Sequence, residues 1–140
     1  MVQPAHLLVL AAILAARVAM ADELKVVVHP DNPVTEVSRS FLREAFLKKS
    51  TRWSRGEEIR PINLARKYSV RDRFTREVVK KTPAQLKSYW SQQIFSGKGV
   101  PPPEADTTTY VITYVLANKG AVGYLPADAE TRGVKVVKVK

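Results

Sequence analysis

The chain has 140 residues, 45% of them hydrophobic, which suits one domain with a buried core and excludes a disordered polymer. It contains no cysteine, so disulfides, thiolate metal sites and cysteine nucleophiles are excluded as well. A formal net charge of +10 favours acidic partners such as phosphate-like ions, anionic headgroups or polyanions.

Leu7 to Ala16 is an unbroken apolar run, and Ala19-Met20-Ala21 is a small-x-small cleavage site. Together they read as a secretory signal peptide over residues 1–21, leaving a single domain over residues 22–140 in the periplasm or outside the cell. No Lys or Arg precedes the apolar run and Arg17 follows it, so an uncleaved amphipathic anchor is the alternative. An exported chain has little occasion to meet nucleic acid, and none is expected as a partner.

Leu24 to Val28 is a nearly continuous apolar strand, hence internal to a sheet. His29-Pro30-Asp31-Asn32-Pro33 stops it. With one histidine and no cysteine after the leader, no metal site is expected, and His29 reads as a hydrogen-bonding loop residue. Ser38 is a plausible cap for a helix through Phe41 to Leu47, with Phe41, Leu42, Ala45 and Phe46 on one face. Trp53, before the Gly56 turn, reads as a plug over the core edge, with stacking on a ligand as the alternative.

Ile59 to Leu64 alternates apolar and polar residues, a strand pattern, and Ala65 to Tyr68 is a polar connection. Ser69-Val70-Arg71-Asp72 then opens a helix with a capping-box-like start, and Val70, Phe74 and Val78 share its apolar face. A first turn has unpaired N–H groups and the positive end of the helix dipole, and Arg66, Lys67 and Arg71 stand beside this one. It is therefore a candidate anion site; a helix start that binds only water is the alternative. Arg73, Arg76 and Lys80 fall on the opposite face, either solvated or a docking surface for an acidic partner.

Thr82 caps a helix with Pro83 at its first position, Leu86, Tyr89, Trp90 and Ile94 as its buried stripe, and Gly97 as its end. Gly97 to Pro103 is a loop. Asp106 is expected to cap a buried helix over Thr107–Asn118. Ala121 to Leu125 is a strand in which Gly123 marks a close backbone approach. Val134 to Val139 reads as an edge strand guarded by Lys135, Lys138 and Lys140. The order implies an α/β fold, a mixed sheet with helices packed on it.

Three stretches resemble type II periplasmic phosphate-binding proteins, the solute-binding components of phosphate ABC transporters. Phe41-Leu42-Arg43-Glu44-Ala45-Phe46-Leu47-Lys48-Lys49 with Thr51-Arg52-Trp53 resembles their L-x-x-I-F-x-G-K-x-x-x-W segment. Tyr68-Ser69-Val70-Arg71-Asp72-Arg73-Phe74 resembles their S-G-T-R-x-x-F turn and helix start, and Gly120-Ala121-Val122-Gly123-Tyr124-Leu125 their G-A-I-G-Y-V strand. The ordered set covers roughly Leu24 to Val139. Full-length members of the family have two lobes with the anion between them, whereas this chain suffices for one lobe of that fold. By register the family's Ser-Gly-Thr falls on Tyr68-Ser69-Val70; shifted by one residue, Ser69 keeps the serine and Val70 stands at the glycine, and either way the threonine is lost and Arg71 is the best-preserved match.

The resemblance implies an exported solute-binding protein that takes phosphate or a similar oxyanion. Its site would use Ser69 Oγ, the N–H groups of Val70 and Arg71 and the Arg71 guanidinium, with Asn63 or Arg66 adding contacts. One lobe leaves an anion half open to water, so binding is expected to be weak unless two chains pair or another protein supplies the second wall. The implied partners are an ABC transporter permease, another periplasmic or membrane protein, or a second copy in a homo-dimer. The alternative is a ligand-free interaction or sensor module docking through its basic face. An enzyme is not expected, nor is a cofactor. His29 is alone, no G-x-S-x-G turn or Gly-rich phosphate loop occurs, and Glu57 and Glu58 would diverge on a strand.

Overall fold

The computed structural model describes residues 23–140; the expected leader over residues 1–21 lies outside them. In chain order the elements are β1 (Leu24–Val28), β2 (Glu36–Val37), α1 (Arg39–Phe46), β3 (Arg60–Pro61), β4 (Asn63–Leu64) and α2 (Ser69–Arg73). The α2 helix runs on into one π-helical stretch, Phe74–Val78. There follow α3 (Pro83–Phe95), β5 (Glu104–Ala105), α4 (Thr108–Ala117), β6 (Ala121–Pro126) and β7 (Lys135–Val139).

Five strands make one mixed sheet in the order β2-β7-β1-β6-β3, and β4 pairs with β5 in a separate two-stranded sheet. The apolar run of β1 is explained by its place: it lies antiparallel between β6 and β7, and Val26, Val27 and Val28 are completely buried. The parallel pairs are β2 with β7, β3 with β6 and β4 with β5. The fold is thus the expected mixed sheet with packed helices.

The strand expected over Ile59–Leu64 is two strands in two sheets. Arg60 and Pro61 follow β6, and the Ile62 amide still donates to Val122 O at 3.0 Å. The chain then crosses over, and Asn63 donates to Pro103 O at 2.9 Å. Fully buried Ile62 is the hinge of that switch. The expected β7 edge is also corrected, because β2 pairs with its last residues and caps it on the outer side.

Ser38 Oγ accepts from Phe41 N at 2.9 Å, as expected for the α1 cap. Thr82 and Gln85 form a full capping box on α3. The α4 cap is Thr107 rather than Asp106, with Thr107 Oγ1 accepting from Tyr110 N at 3.1 Å. Trp53 is a plug: it is buried, its indole N–H donates to Gly120 O at 2.9 Å, and its ring lies 5.0 Å from that of Phe41. The core centres on Phe46, Phe74 and Tyr124, with Phe74 stacked on Tyr124 at 4.0 Å and Phe46 edge-on to Phe74 at 4.7 Å.

Candidate functional site

The start of α2 is fixed from beneath by its apolar face, since Val70, Phe74 and Val78 are all buried. Its N-cap is Tyr68, which makes no side-chain cap bond, so the capping-box-like start expected at Ser69 does not form. Ser69 is instead the first helical residue, one place too late for its hydroxyl to reach back to the amides of the first turn. The Arg71 amide turns back onto Tyr68 O at 3.0 Å. Among the described residues no acceptor meets the amides of Ser69 and Val70. As residues, Val70 is fully buried and Ser69 is exposed.

Arg71 is held by the fold. Its Nη1 donates to Leu64 O at 2.6 Å and to the Glu104 carboxylate at 2.8 Å, and its side chain is only 11% exposed. It therefore clamps β4 and β5 to the helix start. The same corner contains a buried relay: Leu64 N donates to Tyr124 Oη at 3.3 Å, and Tyr124 Oη–H donates to Asn63 Oδ1 at 3.0 Å. Burial pushes the Tyr124 hydroxyl far above the ordinary tyrosine range, with nearby Arg71 pulling the other way. It stays protonated and keeps donating, which fixes the Asn63 side chain.

Arg66 and Arg71 line one depression of about 110 Å³ with Asp72, Thr75 and Pro83. Ser69 faces elsewhere, sharing a surface groove with Asp72, Arg73, Arg76 and Glu77. Two helical residues are about 200° apart, so Ser69 Oγ and the Arg71 guanidinium do not converge. The structure thus brings Arg66 and Arg71 together, links Asn63 to Arg71 only through Tyr124 and the Leu64 backbone, and leaves Ser69 on another face with Val70 buried. Glu104 and Tyr124 belong to this corner and were missed. Tyr124 sits in the G-A-V-G-Y-L stretch, but nothing in that stretch shows which way its hydroxyl points. Arg73 and Arg76 are each paired one turn away, with Glu77 at 3.0 Å and Asp72 at 2.9 Å, so the basic stripe is largely neutralised within its own helix. His29 Nδ1 accepts from Asp31 N at 3.0 Å, the loop role expected of it.

No family model and no curated protein matches the sequence. Solved structures do match. A Clostridium perfringens protein assigned as a phosphate ABC transporter substrate-binding protein, with bound phosphate, aligns with a TM-score of 0.65 at 22% identity, over 83% of this chain and 44% of its own. An ABC-type phosphate transport receptor from Vibrio cholerae gives 0.59 at 19%, over 83% and 45%. PstS from Borrelia burgdorferi gives 0.61 at 13%, over 84% and 47%. The chain spans less than half the length of each. At these identities the likeness is one of fold, and on that ground the chain has the fold of a single lobe of the phosphate ABC transporter substrate-binding proteins.

Proposed function

We propose that the protein is an exported, single-lobed solute-binding module that takes phosphate or a similar oxyanion weakly at the corner where α2 begins. The observation that supports this reading is the depression that Arg66 and Arg71 line at the start of α2, on the fold that holds phosphate in the Clostridium perfringens structure. Exposed Arg66 supplies an accessible cation. Arg71 offers the N–H groups that Leu64 and Glu104 do not use, and Asn63 is held in place by Tyr124.

Two features keep the affinity low. Glu104 and Asp72 place carboxylates beside the cations, and the corner is open to water on one side. A charge pair in water contributes only about 1 kcal/mol at contact distance, and two cations with their hydrogen bonds together reach about 4 kcal/mol, a dissociation constant of about 1 mM. A second copy or a membrane-protein partner such as a transporter permease would supply the missing wall. The alternative of docking through Arg73, Arg76 and Lys80 is less favoured, because two of those three cations are internally paired.

Phosphate and sulfate titrations followed by amide NMR test the proposal. Saturable shifts at Ser69, Val70 and Arg71, weakened by Arg66→Glu, are expected. Shifts absent at millimolar phosphate, or unaltered by that substitution, overturn it.

A further inference from the structure

The stripe expected to be buried on α3 is only partly so. Trp90 is buried and Leu86 and Tyr89 are half-buried, but Ile94 is 53% exposed and Phe95 95% exposed. Val100, in the loop that follows, is 59% exposed. These three side chains form an apolar tip at the end of a helix. The tip is held firmly, since Gly97 N donates to Ile94 O at 3.1 Å and Lys98 N to Gln93 O at 2.9 Å, with Gly97 at a φ of 70°. That is the paired-bond helix stop that needs a left-handed residue.

The sequence leading into and out of the tip carries charge of one sign. No acidic residue stands between Glu77 and Glu104, whereas Lys80, Lys81, Lys87 and Lys98 all fall in that span. Lys87 precedes Ile94 by seven residues, two helical turns, and so lies on the same side of α3. Lys98 follows directly in the turn.

We propose that this tip docks onto an anionic lipid bilayer, with Ile94, Phe95 and Val100 entering the headgroup boundary and Lys87 and Lys98 on the lipid phosphates. Lys87 and Lys98, with no acidic residue near them in sequence, oppose pairing with a second, equally basic copy and complement an anionic surface. The tip projects rather than forming a concavity. A bilayer accepts a projecting aromatic and aliphatic tip without shape complementarity, which a protein partner would require. Among the described residues no helix is long and apolar enough to cross a membrane, so the contact is interfacial. The inference stands independently of oxyanion binding.

The absence of cysteine allows a single reporter. The full chain carrying Gln92→Cys, labelled with the polarity-sensitive NBD group, is mixed with vesicles of equimolar phosphatidylglycerol and phosphatidylcholine, and with pure phosphatidylcholine. A blue-shifted, brighter signal is expected on the anionic vesicles alone, with a label at Lys138→Cys on β7 remaining aqueous. Ile94→Ser with Phe95→Ser should abolish the shift. Lys87→Glu with Lys98→Glu should raise the lipid needed by at least about tenfold, since each lysine near such a surface contributes about fivefold. The proposal fails if the label at residue 92 stays aqueous while the chain sediments with vesicles, or if both label positions shift alike. It fails equally if the shift at residue 92 appears without lipid as protein concentration rises, which would make a second copy the occupant.

Discussion

Glu104→Gln isolates what limits oxyanion binding at the α2 corner. The Glu104 carboxylate lies 2.8 Å from Arg71 Nη1, so it neutralises the cation an anion would seek and also repels that anion directly. An anion beside Arg71 would sit roughly 6 Å from that carboxylate; with an effective dielectric of about 55 at this half-open site, the repulsion is about 1 kcal/mol. Removing it should tighten phosphate binding roughly fivefold. The side chain of Glu104 is 46% exposed, so the lost ion pair should lower stability by no more than about 1 kcal/mol. Paired phosphate titrations of parent and variant, with urea unfolding of both, give the two quantities. An unchanged or weaker phosphate affinity in a folded Glu104→Gln protein would refute the electrostatic reasoning. Arg71→Met makes the complementary point, because it strips Leu64 O of its side-chain donor and should cost about 1–3 kcal/mol whether or not phosphate is present.

The other expectations concern the frame. A Cβ on Gly120 would stand 1.9 Å from Glu58 O, whereas one on Gly123 would meet Ile62 Cγ2 and Val111 Cγ1 at 3.0 Å. Gly120→Ala should therefore cost more than about 3 kcal/mol and Gly123→Ala about 1–2 kcal/mol, and equal urea midpoints would contradict that ranking. Lys48 holds a φ of 55° at the α1 stop, where its amide donates to Ala45 O, so Lys48→Gly should raise stability by about 1 kcal/mol in thermal unfolding. Burial raises the pKa of Tyr124 above the ordinary 10.0. Its contribution is fully present below pH 10 and is lost as the pH rises beyond that, because the unfolded chain releases the proton first. Tyr124→Phe should flatten the alkaline arm of the stability–pH curve while costing about 1–2 kcal/mol at neutral pH through the unpartnered Asn63 Oδ1 and Leu64 N.

The α2 register was legible because Val70, Phe74 and Val78 repeat at helical spacing, and the central place of β1 because Val26, Val27 and Val28 leave no polar face. Ser38 and Thr82 announced their helices through hydroxyls at the right offset. The sheet switch at Ile62 was not legible: alternation over Ile59–Leu64 looks the same whether or not the partner strand changes. Nor could two-residue strands such as β2 and β5 be seen, since they are defined by their neighbours alone. Ser69 misled because a serine before an aspartate three places on is common to caps and first-turn residues. The charge on Arg71 was legible, but not its capture by Glu104, which arrives on β5, thirty-three residues away. Ile94 followed the spacing of a buried stripe, yet α3 runs past the end of the surface it packs on.

The placement of β1 also bears on how the molecule comes to be folded. Its neighbours are the two strands furthest along the described residues, pairing Leu24 with Pro126 and Val28 with Lys135. Both flanks of β1 therefore wait for partners roughly a hundred residues further along, a high-contact-order arrangement that folds slowly, so the middle of this sheet closes only after the helices between have been made.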